Sequence, residues 1–416
     1  MIAVQRYLNY REKINFEKVY LYLFIGFAFS IPLSRSAISM FVILIPLVWA
    51  YEGEFKRKWE QIRSSKLLLA MIAYIGVIGL SVLWSTNVEE ALKVFRISLY
   101  WLVIFVAATS LDKKHIPSIL SGFLVAIFIS EVIAYGVFFE IWSFKDATPD
   151  NPTPFMSHLN YSLYLAVTSV VLFNRLVVTD YSNMQKLFFL LFFISTTTNL
   201  FLIGGRTGQA AFLFGVFVMF FVHFRFSSKA VLASLLSLSV IYTVAYNFSD
   251  TFQQRVASAY SDVRDVLDNQ EYDSSWGIRM GYWPVSFDAF KQSPLAGHGA
   301  GDYAKAIHAT IDKESFSYLG SARGFMKNDI HPHNQFLLVL LQLGLFGLVI
   351  VSYLWYQIFK TAYCIKDKEQ KAMFLAAVTI FFVVCFAIAP WYRQFGIAIW
   401  VLLMSVLSIY SFSKKD

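Results

Sequence analysis

Long apolar runs broken by short polar connectors recur from Leu21 to Tyr410. They fall near 21–34, 36–50, 67–84, 97–110, 117–140, 159–179, 187–203, 208–224, 229–247, 335–358, 373–389 and 395–412. A helix needs ~20 apolar residues to cross the hydrocarbon core of a bilayer. In lipid, only helices and closed barrels satisfy their own backbone polar groups. The pattern predicts an all-α integral membrane protein with about twelve transmembrane helices. Several runs are short, so their ends are soft and one hairpin could be re-entrant. The first run has no small-x-small cleavage site after it and reads as an uncleaved span.

One long polar stretch, Ser249–His333, interrupts the series. It divides the chain into a membrane part at 1–248, a large loop at 249–334 and a second membrane part at 335–416. Structureless loops of this length are uncommon without a function. Met280–Lys291 within it carries Trp283, Phe287 and Phe290 at helical spacing. That spacing fits either an amphipathic helix lying on the membrane or a small cap with its own core.

Charge orients the chain. Twenty-one basic residues, from Arg6, Arg11, Lys13 and Lys18 through Lys56–Lys66 to Lys414 and Lys415, fall in segments on one side. The short connectors of the other side hold six: Arg35, Lys93, Arg96, Lys145, Arg206 and Arg393. Under the positive-inside rule, both termini are cytoplasmic and the large loop is periplasmic. The net charge of +8 does not indicate nucleic acid, because the basic residues sit in connectors rather than on one face. Charged residues make up 15% of the chain and Phe alone numbers 42, which excludes an ordinary soluble domain. Cys364 and Cys385 form no CxxC pair and read as small packing residues.

Three constellations carry candidate chemistry, all on the periplasmic side. Gly204-Gly205-Arg206-Thr207-Gly208 joins the seventh and eighth runs. Its glycines admit a ligand close to the backbone, Thr207 is placed to cap the next helix, and Arg206 offers a fork for phosphate oxygens. An interfacial turn with a snorkelling arginine is the plainer alternative. Trp276-Gly277-Ile278-Arg279 lies in the large loop, where Arg279 either faces the headgroup zone or pairs with Asp273 or Asp288. His331-Pro332-His333-Asn334 stands where the chain re-enters the membrane. A histidine there titrates near working pH, as a general base needs, while Asn334 or His333 is also placed to cap the next helix. Asp329, His331 and His333 offer metal ligands without the i, i+4 pair of zinc hydrolases. Arg323 and Lys327 just upstream either meet an anionic acceptor or remain solvated. Gly297-His298-Gly299-Ala300-Gly301 follows no buried strand and reads as a turn.

In this order, Gly205-Arg206, Gly277-Ile278-Arg279, Ser293-Pro294-Leu295-Ala296-Gly297-His298-Gly299 and His331-Pro332-His333-Asn334 resemble the O-antigen ligase and polymerase superfamily of membrane glycosyltransferases. The resemblance implies a GT-C-like membrane fold whose large periplasmic loop contains short helices, in the bacterial inner membrane. It implies an undecaprenyl-diphosphate-linked glycan as donor, with no cofactor and no essential metal. Arg206 and Arg279 would bind the diphosphate and His333, supported by His331, would be the catalytic base, with Gly205, Asn334, Arg323 and Lys327 in supporting positions. Of the members, the ligase, with the lipid A core as acceptor and membrane lipids around it, fits the chain's length and short tail better than the protein-directed branch. The polymerase stays open. So does a lipid-linked glycan transporter, although its ionisable midplane groups are nearly missing here.

Overall fold

A computed structural model of the chain describes residues 13–177, 181–225, 227–248, 250–328 and 331–412. The terminal basic residues Arg6, Arg11, Lys414 and Lys415, and Asp329, lie outside them. Among the described residues the chain is helical and contains no strand, as the periodicity predicts. Eight helices are long and apolar enough to cross a membrane: 35–52, 66–84, 88–110, 113–138, 183–202, 206–224, 335–363 and 394–412. The other four expected runs also form helices, Phe16–Ser30, His158–Val177, Ser228–Phe248 and Lys368–Val384. These do not meet the same combination of length and apolarity, so eight crossings, rather than twelve, rest on that criterion.

The helices that build the site are numbered here in chain order: α1 (Arg35–Glu52), α2 (Val88–Ser98), α3 (His158–Val177), α4 (Asn183–Leu202), α5 (Arg206–Phe224), α6 (Asp250–Arg264), α7 (Ser275–Lys291), α8 (Gln335–Tyr363) and α9 (Gln394–Ser408). Helix α3 shows why one of these four falls short of that criterion. It is buried along most of its length, including Asn160, Ser162, Thr168 and Asn174. Neighbouring helices rather than lipid surround it, so it needs no continuous apolar face. Among these helices Trp101, Trp391 and Trp400 pack with centroids 5.0–5.5 Å apart. This rigid aromatic block backs the region where the histidines sit.

The large loop is a cap with its own core, and it also presents an aromatic edge. Tyr282, Val285 and Ala289 of α7 are buried with Tyr303, Ile307, Ile311, Leu319 and Met326, and with Leu338 and Leu341 of α8. The opposite side of α7 leaves Trp283 and Phe287 exposed. The core accords with the cap reading of Met280–Lys291, and the exposed aromatic side is the face that the membrane-surface reading requires.

Gly297–Asp302 has a part that its sequence did not disclose. Gly344 adopts φ 63° and breaks α8. The break frees backbone groups that a straight helix would use internally. His298 and Gly299 donate their N–H groups to Leu341 and Gln342 at 2.8 and 2.9 Å, and Leu345 and Phe346 donate to Pro294 and Leu295. A Cβ on Gly297 would stand 2.5 Å from the Gln342 carbonyl carbon, so only glycine fits this approach. The turn then reaches the start of α2, where Asp302 accepts from the Thr86 hydroxyl at 2.7 Å and from the Asn87 N–H at 3.1 Å. The Thr86 N–H donates to the same carboxylate.

Burial opposes ionisation of Asp302, but these donors outweigh it and hold its pKa below the usual carboxylate range. Asp302→Asn is expected to loosen the cap and cost about 1.5–3 kcal/mol, the range for hydrogen bonds to a charged group. Thermal melting in detergent reads this, and an unchanged midpoint would show that the carboxylate anchors nothing.

Candidate active site

Arg206 opens α5 at its N-terminal end. The N-cap is Gly205, with no side-chain capping bond, so Thr207 does not play the capping part expected of it. Two of the glycines, Gly205 and Gly208, serve packing. A Cβ on Gly205 or Gly208 would lie 2.4 Å from the Ser162 Cβ of α3. Their missing side chains let α5 lie against α3, and that contact sets where Arg206 stands. Gln209 fixes the turn by donating to the Leu200 and Ile203 carbonyls, each at 3.0 Å.

Asp262 of α6 lies 3.5 Å from the Arg206 guanidinium. Arg279 enters from α7, where Ser274 caps the helix and the guanidinium donates to the Ser275 carbonyl and hydroxyl, both at 2.8 Å. Its Nε is buried with no partner among the described residues. Neither expected carboxylate takes it: Asp288 pairs with Lys313, and Asp273 accepts from Ser321. Burial first, and then the charge of Arg206, lower the Arg279 pKa, while Asp262 opposes them. Two guanidinium groups from helices distant in sequence thus share one electrostatic neighbourhood, answered by a single carboxylate. Such an arrangement suits a ligand with more than one negative charge.

The histidine turn lies against α7. The Tyr282 ring, one turn beyond Arg279, stands 6.1 Å from His333, and the His331 and His333 rings are 5.4 Å apart. His333 has φ 46°, a left-handed conformation uncommon for a residue with a Cβ. Its N–H donates to His331 Nδ1 at 3.2 Å, which helps to hold that turn. With Nδ1 accepting, the proton of neutral His331 belongs on Nε2, and that atom is buried with no partner among the described residues. Burial above all, then the charges of His333 and Arg393, push the His331 pKa down to about 3. His331 is therefore a neutral imidazole at working pH, with its acceptor nitrogen already occupied. Asn334 caps α8, accepting from the N–H groups of Phe336 and Leu337 at 2.8 and 3.1 Å.

Arg323 and Lys327 are engaged inside the cap. Arg323 donates to the Ile311 carbonyl at 2.7 Å and lies 3.9 Å from Asp312, the carboxylate that also pairs with Lys327. Asp262 and Tyr392 escaped the sequence reading, while Tyr282 stands in the stretch that follows Gly277-Ile278-Arg279 without a role assigned to it. Tyr392 places its ring 5.3 Å from His331 and donates its hydroxyl to Glu90 at 3.0 Å. Neither Asp262 nor Tyr392 belongs to a recognisable motif, and only the fold brings them to the arginines or histidines.

His331 has a measurable signature. Its folded pKa lies below the unfolded value of ~6.5, so between those values the unfolded chain binds more protons. Stability is then greatest above about pH 6.5 and falls toward pH 3, by at most ~1.4 kcal/mol per unit for one proton. Melting temperatures from pH 7.5 to 4.5 should decline in the wild type and decline less in His331→Gln. Equal slopes would mean that His331 titrates normally.

Residues 189–352 match the family model described as O-Antigen ligase. That bears out the superfamily resemblance over a segment running from within α4 to within α8, which holds Arg206, the cap and both histidines. Family members are glycosyltransferase-like membrane enzymes, and the eight apolar helices accord with a membrane setting. The chain is also similar to an uncharacterized protein of Haemophilus influenzae, 23% identical over 205 residues. That alignment covers 48% of this chain and 50% of the relative, so the chain spans about half the length of the relative it matches.

Proposed function

We infer that the chain is an O-antigen ligase, transferring an undecaprenyl-diphosphate-linked polysaccharide to a sugar of the lipid A core by inverting, metal-independent glycosyl transfer. On this reading it is an inner-membrane protein of about twelve spans, with both termini in the cytoplasm and the cap in the periplasm. The observation that carries the proposal is that Arg206 of α5 and Arg279 of α7 lie within reach of one another's charge, while α7 also supplies the Tyr282 contact to His333.

The chemistry follows from charge. As the bond between the anomeric carbon and the diphosphate oxygen breaks, negative charge grows on the lipid diphosphate. Arg206 and Arg279 stabilise that charge without reorganising. His333 takes the proton of the acceptor hydroxyl as its oxygen bonds the opposite face of the anomeric carbon. The lipid diphosphate departs and the configuration inverts. His331, neutral and with Nδ1 occupied, acts as a positioning residue for His333. An apolar cavity of about 390 Å³ lined by Phe173, Phe193, Phe212, Val216 and Met219 runs along α5, the helix that Arg206 opens, and suits part of an isoprenoid chain.

Lipopolysaccharide from a deletion strain tests the assignment. The ligase reading expects complete loss of capped chains, with long polyprenyl-linked polymer accumulating. Single repeat units on the core would mean a polymerase.

A further inference from the structure

A second lipid-facing feature lies apart from the arginines. A groove of about 880 Å³ opens between α1 and the 88–110 helix, and its lining includes neither Arg206 nor Arg279. Its upper end is polar, formed by Glu90, Lys93, Arg96, Tyr392 and Gln394. Its lower walls are apolar, with Val42, Ile43, Pro46, Leu47 and Leu102. Ile43 and Leu47 are about 60% exposed, so the groove is open at the side.

Three observations fix what fits it. The wall from Ser39 to Leu47 is eight helical steps, about 12 Å at 1.5 Å per step, close to the ~15 Å hydrocarbon depth of one leaflet. That length suits an acyl chain anchored at the periplasmic face rather than a long isoprenoid. The headgroup end carries one unengaged cation: Lys93 is held by Glu89 and Glu90, whereas Arg96 is exposed and makes no ion pair among the described residues. Finally, the polar end reaches the site, since Tyr392 lines the groove, bonds Glu90 and lies against His331.

We propose that this groove seats one acyl chain of the acceptor glycolipid, with Arg96 holding an anionic phosphate of its head, so that the acceptor sugar arrives at the histidines from the side of Tyr392. The inference rests on the ligase reading and adds the acceptor's route.

The test uses the purified full chain in nanodiscs, with a synthetic polyprenyl-diphosphate glycan as donor and lipid A carrying its core saccharide as acceptor. Leu47→Trp fills the groove and Arg96→Glu reverses its rim. Both are expected to raise the acceptor KM at least tenfold, leaving kcat and donor binding by native mass spectrometry near wild type. Leu44→Trp, exposed on α1 but outside the groove lining, should behave as wild type. Ile43→Trp supplies the same block one turn away should Leu47→Trp not yield monodisperse protein. A wild-type acceptor KM in both the filled and the charge-reversed variants, with transfer intact, overturns the groove and leaves the ligase reading standing. No transfer by the wild type to this acceptor, despite bound donor, overturns both.

Discussion

Arg279→Ala should leave the chain inserted and folded while reducing glycan transfer by about 10²–10³-fold, the loss typical when one preorganised electrostatic donor is removed. The guanidinium is buried enough that its pKa is depressed, and the charge of Arg206, itself 3.5 Å from Asp262, lowers it further. Such an arrangement is unfavourable in the resting protein and becomes favourable when a diphosphate enters. The effect should therefore appear in kcat as well as in donor affinity, because charge on the leaving group grows toward the transition state. Arg206→Ala should resemble it, and the double variant should lose less than the product of the two, since both act on one group. Asp262→Asn separates the pairing from the chemistry. It removes the resting counterion, so donor affinity should hold or rise rather than collapse. Wild-type transfer by purified Arg279→Ala would sink the diphosphate clamp.

His333→Ala should cost transfer about 10²–10⁴-fold, the usual range for a positioned general base. His331→Ala is expected to lose activity for a different reason: its Nδ1 no longer holds the left-handed turn at His333. The two variants are distinguishable by pH. In His331→Gln the amide oxygen can still accept the His333 N–H, so the pH profile of kcat should keep the wild-type acid limb at reduced height. In His333→Ala that limb should vanish from the residual activity. A wild-type limb in His333→Ala would move the base elsewhere.

Much of this was legible in the chain. Apolar run lengths place the helices, including the unusually long Gln335–Tyr363, because lipid allows few alternatives to a helix. Arg206 and the histidine pair stand out because each sits beside glycine or proline at the edge of an apolar run, and Arg279 because it closes a Gly-x-Arg pattern in the large polar loop. What stayed hidden is contact across long separations. Nothing near Gly344 announces that the helix breaks there, since the broken backbone is satisfied by Pro294–Gly299, some fifty residues earlier. Gly205 reads equally well as a ligand turn or a packing contact until Ser162 is found against it. Asp262 is one acidic residue among several in a polar loop, and only the fold of α6 brings it to Arg206. The span count illustrates the opposite limit: α3 is polar enough to fail an apolarity criterion because protein, not lipid, covers it.

A chain that moves a glycan from a lipid diphosphate with inversion, using His333 as base, must leave its mark on the product. Reconstituted wild type and His333→Ala are compared with a defined polyprenyl-diphosphate glycan and the lipid A core acceptor in the presence of a chelator. The expected wild-type product has a new linkage whose anomeric configuration, by NMR, is opposite to the donor's, with almost no product from His333→Ala. A product that retains the donor configuration, or one formed by His333→Ala at the wild-type rate, would contradict that mechanism.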